Sequence, residues 1–202
     1  NLRHRGPVRT PDHRDEPLLR QWILLSEGSD SPQAASDFLD RYLYAALPGL
    51  MAMYLLYGIA FEAHQQNSFM VMDVHGRPSR LMLRDFGDIR IDRKTLHQRG
   101  FDLPLKDPAM TLYDDAGFVR DKLLHTAFMC HFGELILLIS RYWKLAESDL
   151  WQALSAHVNC CFDNLREGAE PQRWHTEHEA LLVQDWPAKS FLRMRLLDSP
   201  TD

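Results

Sequence analysis

Glu62-Ala-His-Gln-Gln-Asn67, continuing through Ser68-Phe-Met-Val-Met-Asp-Val74, His75-Gly-Arg-Pro78 and Ser79-Arg-Leu-Met-Leu-Arg84 to Asp85-Phe-Gly87, is the stretch that decides the fold. An unbroken apolar run precedes it. Ser68–Val74 reads as a strand, His75–Pro78 supplies turn chemistry, and Ser79–Arg84 alternates polar and apolar residues as a half-buried returning strand does. A polar loop dense in His, Gln and Asn therefore feeds a β-hairpin whose far end delivers an aspartate. Asp85 shares its parity with Leu81 and Leu83, so a strand continued through it turns the carboxylate to the buried side. A carboxylate aimed inward beside an amide and an imidazole calls for a partner, and a metal or bound cation is the usual one.

Outward from this centre, the N-terminal side reads as helix. Pro17 to Glu27 spaces Leu18, Leu19, Trp22, Ile23 and Leu25 for a short helix stopped by Gly28. Ser31-Pro32 is an N-cap and first-turn pair for the next helix, carrying Phe38, Leu39, Tyr42, Leu43 and Ala46. Pro48-Gly49 is expected to break that helix, with Leu50–Ile59 restarting as a deeply buried one. The run from Tyr42 to Phe61 holds no formal charge and is long enough to span a bilayer. The break, and the direct entry into a polar loop, favour a buried helix with no membrane partner. Residues 1–16, rich in Arg, His and Pro without apolar period, read as an arm or linker.

Beyond the hairpin, Asp88-Ile-Arg-Ile-Asp92 alternates as a third short strand does, and residues 93–114, with Gly100, Pro104 and Pro108, read as an irregular working loop. From Asp115 the chain turns helical. Val119, Leu123, Ala127 and Cys130 form one stripe, and Leu135–Ile139 is apolar all round. Leu150, Leu154, Val158, Cys161 and Leu165 mark a helix ending at Gly168, and Pro171 opens another to about Val183. The expected fold class is α+β: residues 17–114 hold helices and a small antiparallel hairpin sheet, and residues 115–202 a helical subdomain.

Composition narrows the function. The chain has 202 residues, 45% of them hydrophobic, enough to bury a core, and its net charge of −5 argues against nucleic acid as a partner. Three cysteines, Cys130, Cys160 and Cys161, sit in apolar helical patterns, which is cytoplasmic usage and not a disulfide framework. No signal peptide is read, and a sequence opening at Asn1 without Met reads as a fragment or a processed chain.

The loop and hairpin carry a known device. In kinase-type sites an Asn closing the catalytic loop and an Asp closing the next hairpin hold Mg²⁺ against a nucleotide's phosphates. On residues alone, a solvated connector with His64 at the surface competes equally with that reading. A zinc site is disfavoured, because His125 and His131 lie about 240° apart on an α-helix. His175 and His178 lack a third ligand nearby. The chain contains no Gly-x-Ser-x-Gly nucleophile elbow and no Gly-rich phosphate loop.

Gly58-Ile-Ala-Phe-Glu-Ala-His-Gln-Gln-Asn67, the hairpin, Arg84-Asp85 and the later Trp186-Pro-Ala-Lys-Ser-Phe-Leu-Arg-Met-Arg-Leu196 together resemble the signature of the NRPS-independent siderophore synthetases, the aerobactin-synthetase-like family. The resemblance runs from Gln33 to Leu196. It implies a kinase-like palm with a helical thumb, and ATP and Mg²⁺ as cofactors. It implies adenylation of a citrate-like carboxylate followed by acyl transfer to a polyamine, hydroxylamine or amino-alcohol. Asn67 and Asp85 would hold Mg²⁺, with Glu62 a third oxygen contact, direct or through water. His64 would donate to developing negative charge, Gln66 would orient nucleotide or substrate, and Arg84 would contact phosphate or simply lie exposed. The family's main phosphate-binding element lies upstream of anything in this sequence, so the chain reads as the last third of a synthetase, incomplete alone. Pairing through helices, common in the family, implies a homodimer. A kinase-like phosphotransferase is a second reading, weakened because no Asp stands between 62 and 67, and a non-catalytic interaction remnant is a third. The Cys160-Cys161 pair also resembles the siderophore-iron reductases, but these need a further Cys-x-x-Cys, and no cysteine follows Cys161.

Overall fold

In a computed structural model of the chain, residues 16–187 are described; the arm and most of the Trp186–Leu196 segment lie outside them. The axis of the fold is α2, Pro32–Tyr57, a 26-residue helix. Ser31 caps it by accepting a hydrogen bond from the Ala34 N–H at 3.1 Å, and Pro32 occupies the first turn, where a missing N–H costs nothing. The break expected at Pro48 does not occur. Tyr44, Pro48 and Gly49 are all exposed, so the carbonyl that loses its partner, four residues before the proline, lies on the solvent side and the helix runs on. The opposite face, from Phe38 through Tyr42, Leu47, Met51 and Tyr54, is buried. Preceding it, α1 (Leu18–Glu27) buries Leu19 and Ile23 and ends, as expected, at Gly28 with φ 74°.

Gly58 ends α2 at φ 71°, its N–H bonded to the Tyr54 carbonyl at 2.9 Å. A Cβ there would lie 2.9 Å from that of Asp92, so both the conformation and the close approach call for glycine. The chain leaves directly into β1 (Ile59–Ala60), which pairs antiparallel with β4 (Arg90–Asp92); β4 in turn pairs parallel with β5 (Leu112–Tyr113). The hairpin of β2 (Ser68–Met72) and β3 (Pro78–Leu83) is a separate two-stranded sheet. Its inner residues Met70, Met72, Leu81 and Leu83 pack on the core, whereas the cross-strand pair Phe69 and Met82 is exposed. The third strand thus exists but joins the other sheet, because its partner comes from the end of α2.

Residues 93–114 are not wholly irregular. They hold α3 (Arg93–Gln98), capped by Asp92, then a 3₁₀ turn at Pro108–Met110 and β5. A six-residue helix is too short to display an apolar period, which is why it does not show in the sequence.

Asp115 caps α4 (Ala116–Leu123) by accepting from the Gly117 and Phe118 N–H groups. Helical backbone continues without a break through a π-wound segment, Leu124–Gly133, into α5 (Glu134–Trp143). This run, Ala116–Trp143, is long and apolar enough to cross a membrane, and 61% of its most apolar window is buried in the core. Helices α6 (Glu147–Leu165) and α7 (Pro171–Leu182) are the last elements among the described residues, and one hydrophobic core runs from Leu19 to Leu181 through both halves of the chain.

Where α2 ends, a buried polar network ties four elements together. The Arg173 guanidinium donates to the Tyr54 and Leu55 carbonyls at 2.9 and 3.2 Å and to Asp92 at 3.1 Å. Arg99 donates to the Leu56 carbonyl at 2.8 Å. Arg120 makes a two-pronged pair with Glu177 at 2.8 and 3.0 Å, and the Tyr54 hydroxyl donates to the same carboxylate. The arginines thereby satisfy the Leu55 and Leu56 carbonyls, which the helix C-terminus leaves orphaned, give the Tyr54 carbonyl a second donor, and complement the negative dipole end.

Candidate functional site

The site is built on the loop between β1 and β2, residues 61–67, and on the open end of the hairpin. The loop is fastened from below by the α4–π rod. Thr126 Oγ1 donates to the Phe61 carbonyl at 2.9 Å, and His131 Nδ1 donates to the Ala63 carbonyl at 2.9 Å. Gln65 returns a bond to the His131 carbonyl at 3.4 Å, and Ser68 Oγ donates to the Ala63 carbonyl at 3.1 Å. His131 is itself fixed: its Nδ1 is a donor, so its Nε2 accepts from the Tyr42 hydroxyl at 2.6 Å. Burial pushes the His131 imidazole down to about 4, against which the bond to Ala63 works only in part, so the ring is neutral at neutral pH.

Asn67 is buried. Its Nδ2 donates to the Glu62 carbonyl at 3.3 Å, which commits the amide nitrogen inward and leaves Oδ1 as the uncommitted end. Its backbone carbonyl accepts from the Arg84 N–H at 3.0 Å, one step past the Ser68–Leu83 pair, so the hairpin register sets Asn67 opposite Arg84. Asp85 follows at once. Its expected inward aim is corrected here: β3 stops at Leu83, and Asp85 is exposed, with φ 64°. Parity holds only while the strand continues, and a left-handed residue ends it. Asp tolerates this conformation because its own Oδ1 accepts the Gly87 N–H at 3.3 Å. Phe86 packs edge-on against Phe61 with ring centroids 5.8 Å apart, joining the turn to the loop.

Glu62 and His64 are half-buried, with His64 Nε2 at 3.9 Å from Glu62 Oε1. Gln66 is exposed. Arg84 is exposed too, its guanidinium 5.2 Å from the centre of the Phe69 ring. The sequence reading missed Lys122 on α4. Its side chain is 6% exposed, and Nζ lies 3.1 Å from Glu62 Oε1 and 2.5 Å from Asp88 Oδ2. The signal was present: position 122 falls three residues after buried Val119 and four before buried Thr126, on the inward stripe, where a lysine requires partners.

The donor types present are those that a hard divalent cation takes. Asn67 supplies a free amide oxygen and Asp85 a carboxylate, and a cation that retains waters and takes phosphate oxygens needs no full protein cage. Glu62 Oε1 is already engaged by Lys122. Among the described residues, no group of three or more His, Cys, Asp and Glu side chains is gathered as a metal site. Although π-winding brings Cys130 Sγ to 3.8 Å from His125 Nε2, the adjacent cysteines differ, Cys160 being exposed and Cys161 buried.

Residues 36–201 match the family described as "Ferric iron reductase FhuF-like transporter". An uncharacterized protein, y4xN, of Sinorhizobium fredii is 38% identical over 196 residues, covering 95% of this chain and 30% of its own length. Staphyloferrin A synthase of Staphylococcus aureus is 31% identical over 129 residues, covering 62% of this chain and 22% of its own. Among solved structures, aerobactin synthetase IucA of Klebsiella pneumoniae superimposes with a TM-score of 0.67 at 19% identity, over 92% of this chain and 32% of that one. The same synthetase in its ATP-bound form gives 0.62 at 17% identity, over 74% and 27%. The chain thus spans about a third or less of the length of the relatives it matches.

Proposed function

We propose, from the premise that this chain belongs to the family of NRPS-independent siderophore synthetases and is built on their FhuF-like domain, that it is the C-terminal part of an ATP-dependent synthetase. That enzyme adenylates a carboxylate of citrate or a citryl derivative, releases pyrophosphate, and passes the acyl group to an amine, hydroxylamine or alcohol. The observation that carries the reading is the hairpin's open end, where an Asn with its amide nitrogen tied inward pairs through backbone with Arg84, and the next residue is an exposed aspartate in left-handed backbone. Local backbone outliers of this kind concentrate at ligand-binding positions.

Attack of a carboxylate on the α-phosphate is helped mainly by positioning and charge neutralisation. Asn67 Oδ1 and Asp85 would hold Mg²⁺, which when bound neutralises phosphate charge, and Glu62 would reach it through water. His64, 3.9 Å from Glu62 Oε1, would donate a hydrogen bond to charge developing between carboxylate and phosphate. Gln66, exposed at the loop's crest, orients nucleotide or substrate. Arg84, held over Phe69, remains a candidate phosphate contact. The phosphate-binding donors that the hairpin lacks come from the remainder of the polypeptide.

The test is pyrophosphate release by the complete protein with ATP, Mg²⁺, citrate and a polyamine. We expect Asp85→Asn to lower turnover by at least ~10²-fold while leaving the unfolding temperature unchanged. Turnover within threefold of the parent would remove Asp85 from the site. Formation of ADP with phosphorylation of an acceptor, and no pyrophosphate, would favour a kinase-like phosphotransferase.

A further inference from the structure

Lys122 has no place in the reaction just described, yet it is the most deeply buried cation touching the site. Its ammonium is out of water, which is tolerable only because two carboxylates meet it. These carboxylates belong to different arms of the site. Glu62 opens the loop that ends in Asn67; Asp88 closes the turn that begins with Asp85. The hairpin itself joins these arms through the Arg84–Asn67 backbone bond, and the Phe61–Phe86 contact joins them on one further side. Beyond those contacts, Asp85 is exposed and its turn is held to the rest of the molecule by Asp88 alone among its carboxylates.

We propose that Lys122 is a positioning residue: by clamping Glu62 and Asp88 at once, it fixes how far Asp85 stands from Asn67, and it keeps Glu62 Oε1 beside His64 and away from direct coordination. The inference rests on the reading of Asn67 and Asp85 as the oxygens that take the ion. A single charge with two anchors suits the task, because each carboxylate limits where the ammonium can go and the ammonium limits both. Lysine fits better here than arginine would, since a compact point charge can be approached by two carboxylates from different directions. Outer-shell partners of this kind are commonly worth roughly 10- to 100-fold in metal affinity or activity.

The experiment uses the complete protein and the variants Lys122→Met and Lys122→Arg. Amide hydrogen exchange of the metal-free protein should show residues 61–67 and 84–89 both losing protection by about tenfold or more in Lys122→Met, with α2 unchanged, and Lys122→Arg recovering part of it. Half-saturating Mg²⁺ for pyrophosphate release should rise about tenfold in Lys122→Met and less in Lys122→Arg. Where Lys122→Met also exposes α2, Asp88→Asn replaces it, and should loosen residues 84–89 while sparing 61–67. Loosening of neither arm overturns the clamp. Loosening with an unchanged Mg²⁺ requirement makes Lys122 a fold residue only and likewise overturns the proposal. Failure of the site reading looks different: Asp85→Asn would then retain turnover, whatever the exchange data show for Lys122.

Discussion

Two clusters of charge sit at opposite ends of the same short stretch of chain, one where α2 ends and one where the β1–β2 loop ends. In the first, Tyr54, Asp92, Arg120, Arg173 and Glu177 spend their polar atoms on one another and on the carbonyls of α2, and Asp92, Arg173 and Glu177 are all under a tenth exposed. In the second, the same kinds of group are bonded from below and left open above: Asn67 commits its nitrogen and frees its oxygen, and Asp85 keeps a carboxylate in solvent. A closed cluster holds a fold together; an open one, bonded from behind, keeps polar atoms turned to solvent. His131 stands between the two kinds, closed in its own bonds but gripping the open loop.

The contrast predicts that the closed cluster fails through stability and the open one through chemistry. The largest effect should come from Glu177→Ala, which strands Arg120 and the Tyr54 hydroxyl in the interior. It should cost about 3–5 kcal/mol in urea unfolding, and a loss under 1 kcal/mol would mean that the network is slack. Next, His64→Ala in the complete protein should reduce kcat by roughly 10²- to 10³-fold, equivalent to about 2–4 kcal/mol. Its KM for ATP and its unfolding midpoint should change little. A change confined to KM would make His64 a ground-state contact.

The smallest effect sharpens the boundary case. Because the folded-state value of His131 is lowered, to about 4 from 6.5, the unfolded chain takes up the proton first as pH falls. Stability contributed by the neutral ring is therefore complete above about 6.5 and lost progressively between 6.5 and 4, by up to about 3 kcal/mol. In His131→Asn the unfolding midpoint should be lower at pH 7 but flatter across that window. An unchanged pH slope in the variant would place the acid sensitivity elsewhere.

Much of this was legible from the residues. Ser31 and Asp115 announced their helices, Gly28 and the Pro171 start fell where expected, and the hairpin's period and turn placed both strands. The chain's place among the siderophore synthetases was likewise readable in Gly58–Asn67 with Arg84-Asp85. Where the reading failed, a distant partner had overruled a local rule. Pro48 was read as a break because a proline removes a bond; whether that matters depends on which side of the helix faces water. Asp85 was placed inward by strand parity, but one left-handed residue cancels parity.

What the sequence determined by itself is what neighbours in the chain can decide: caps, turns, helix stripes and the order loop–hairpin–aspartate. Only the tertiary structure decided that β4 pairs with β1 and β5 and not with the hairpin. Only it decided that His131, within the ten-residue π-wound segment, grips the Ala63 carbonyl, and that Lys122 joins Glu62 to Asp88. The physical reason is common to all three. Hydrogen bonds and ion pairs are short-range and satisfied by whatever comes near, and what comes near a buried group is set by how helices and sheets pack around one core, not by its place along the chain.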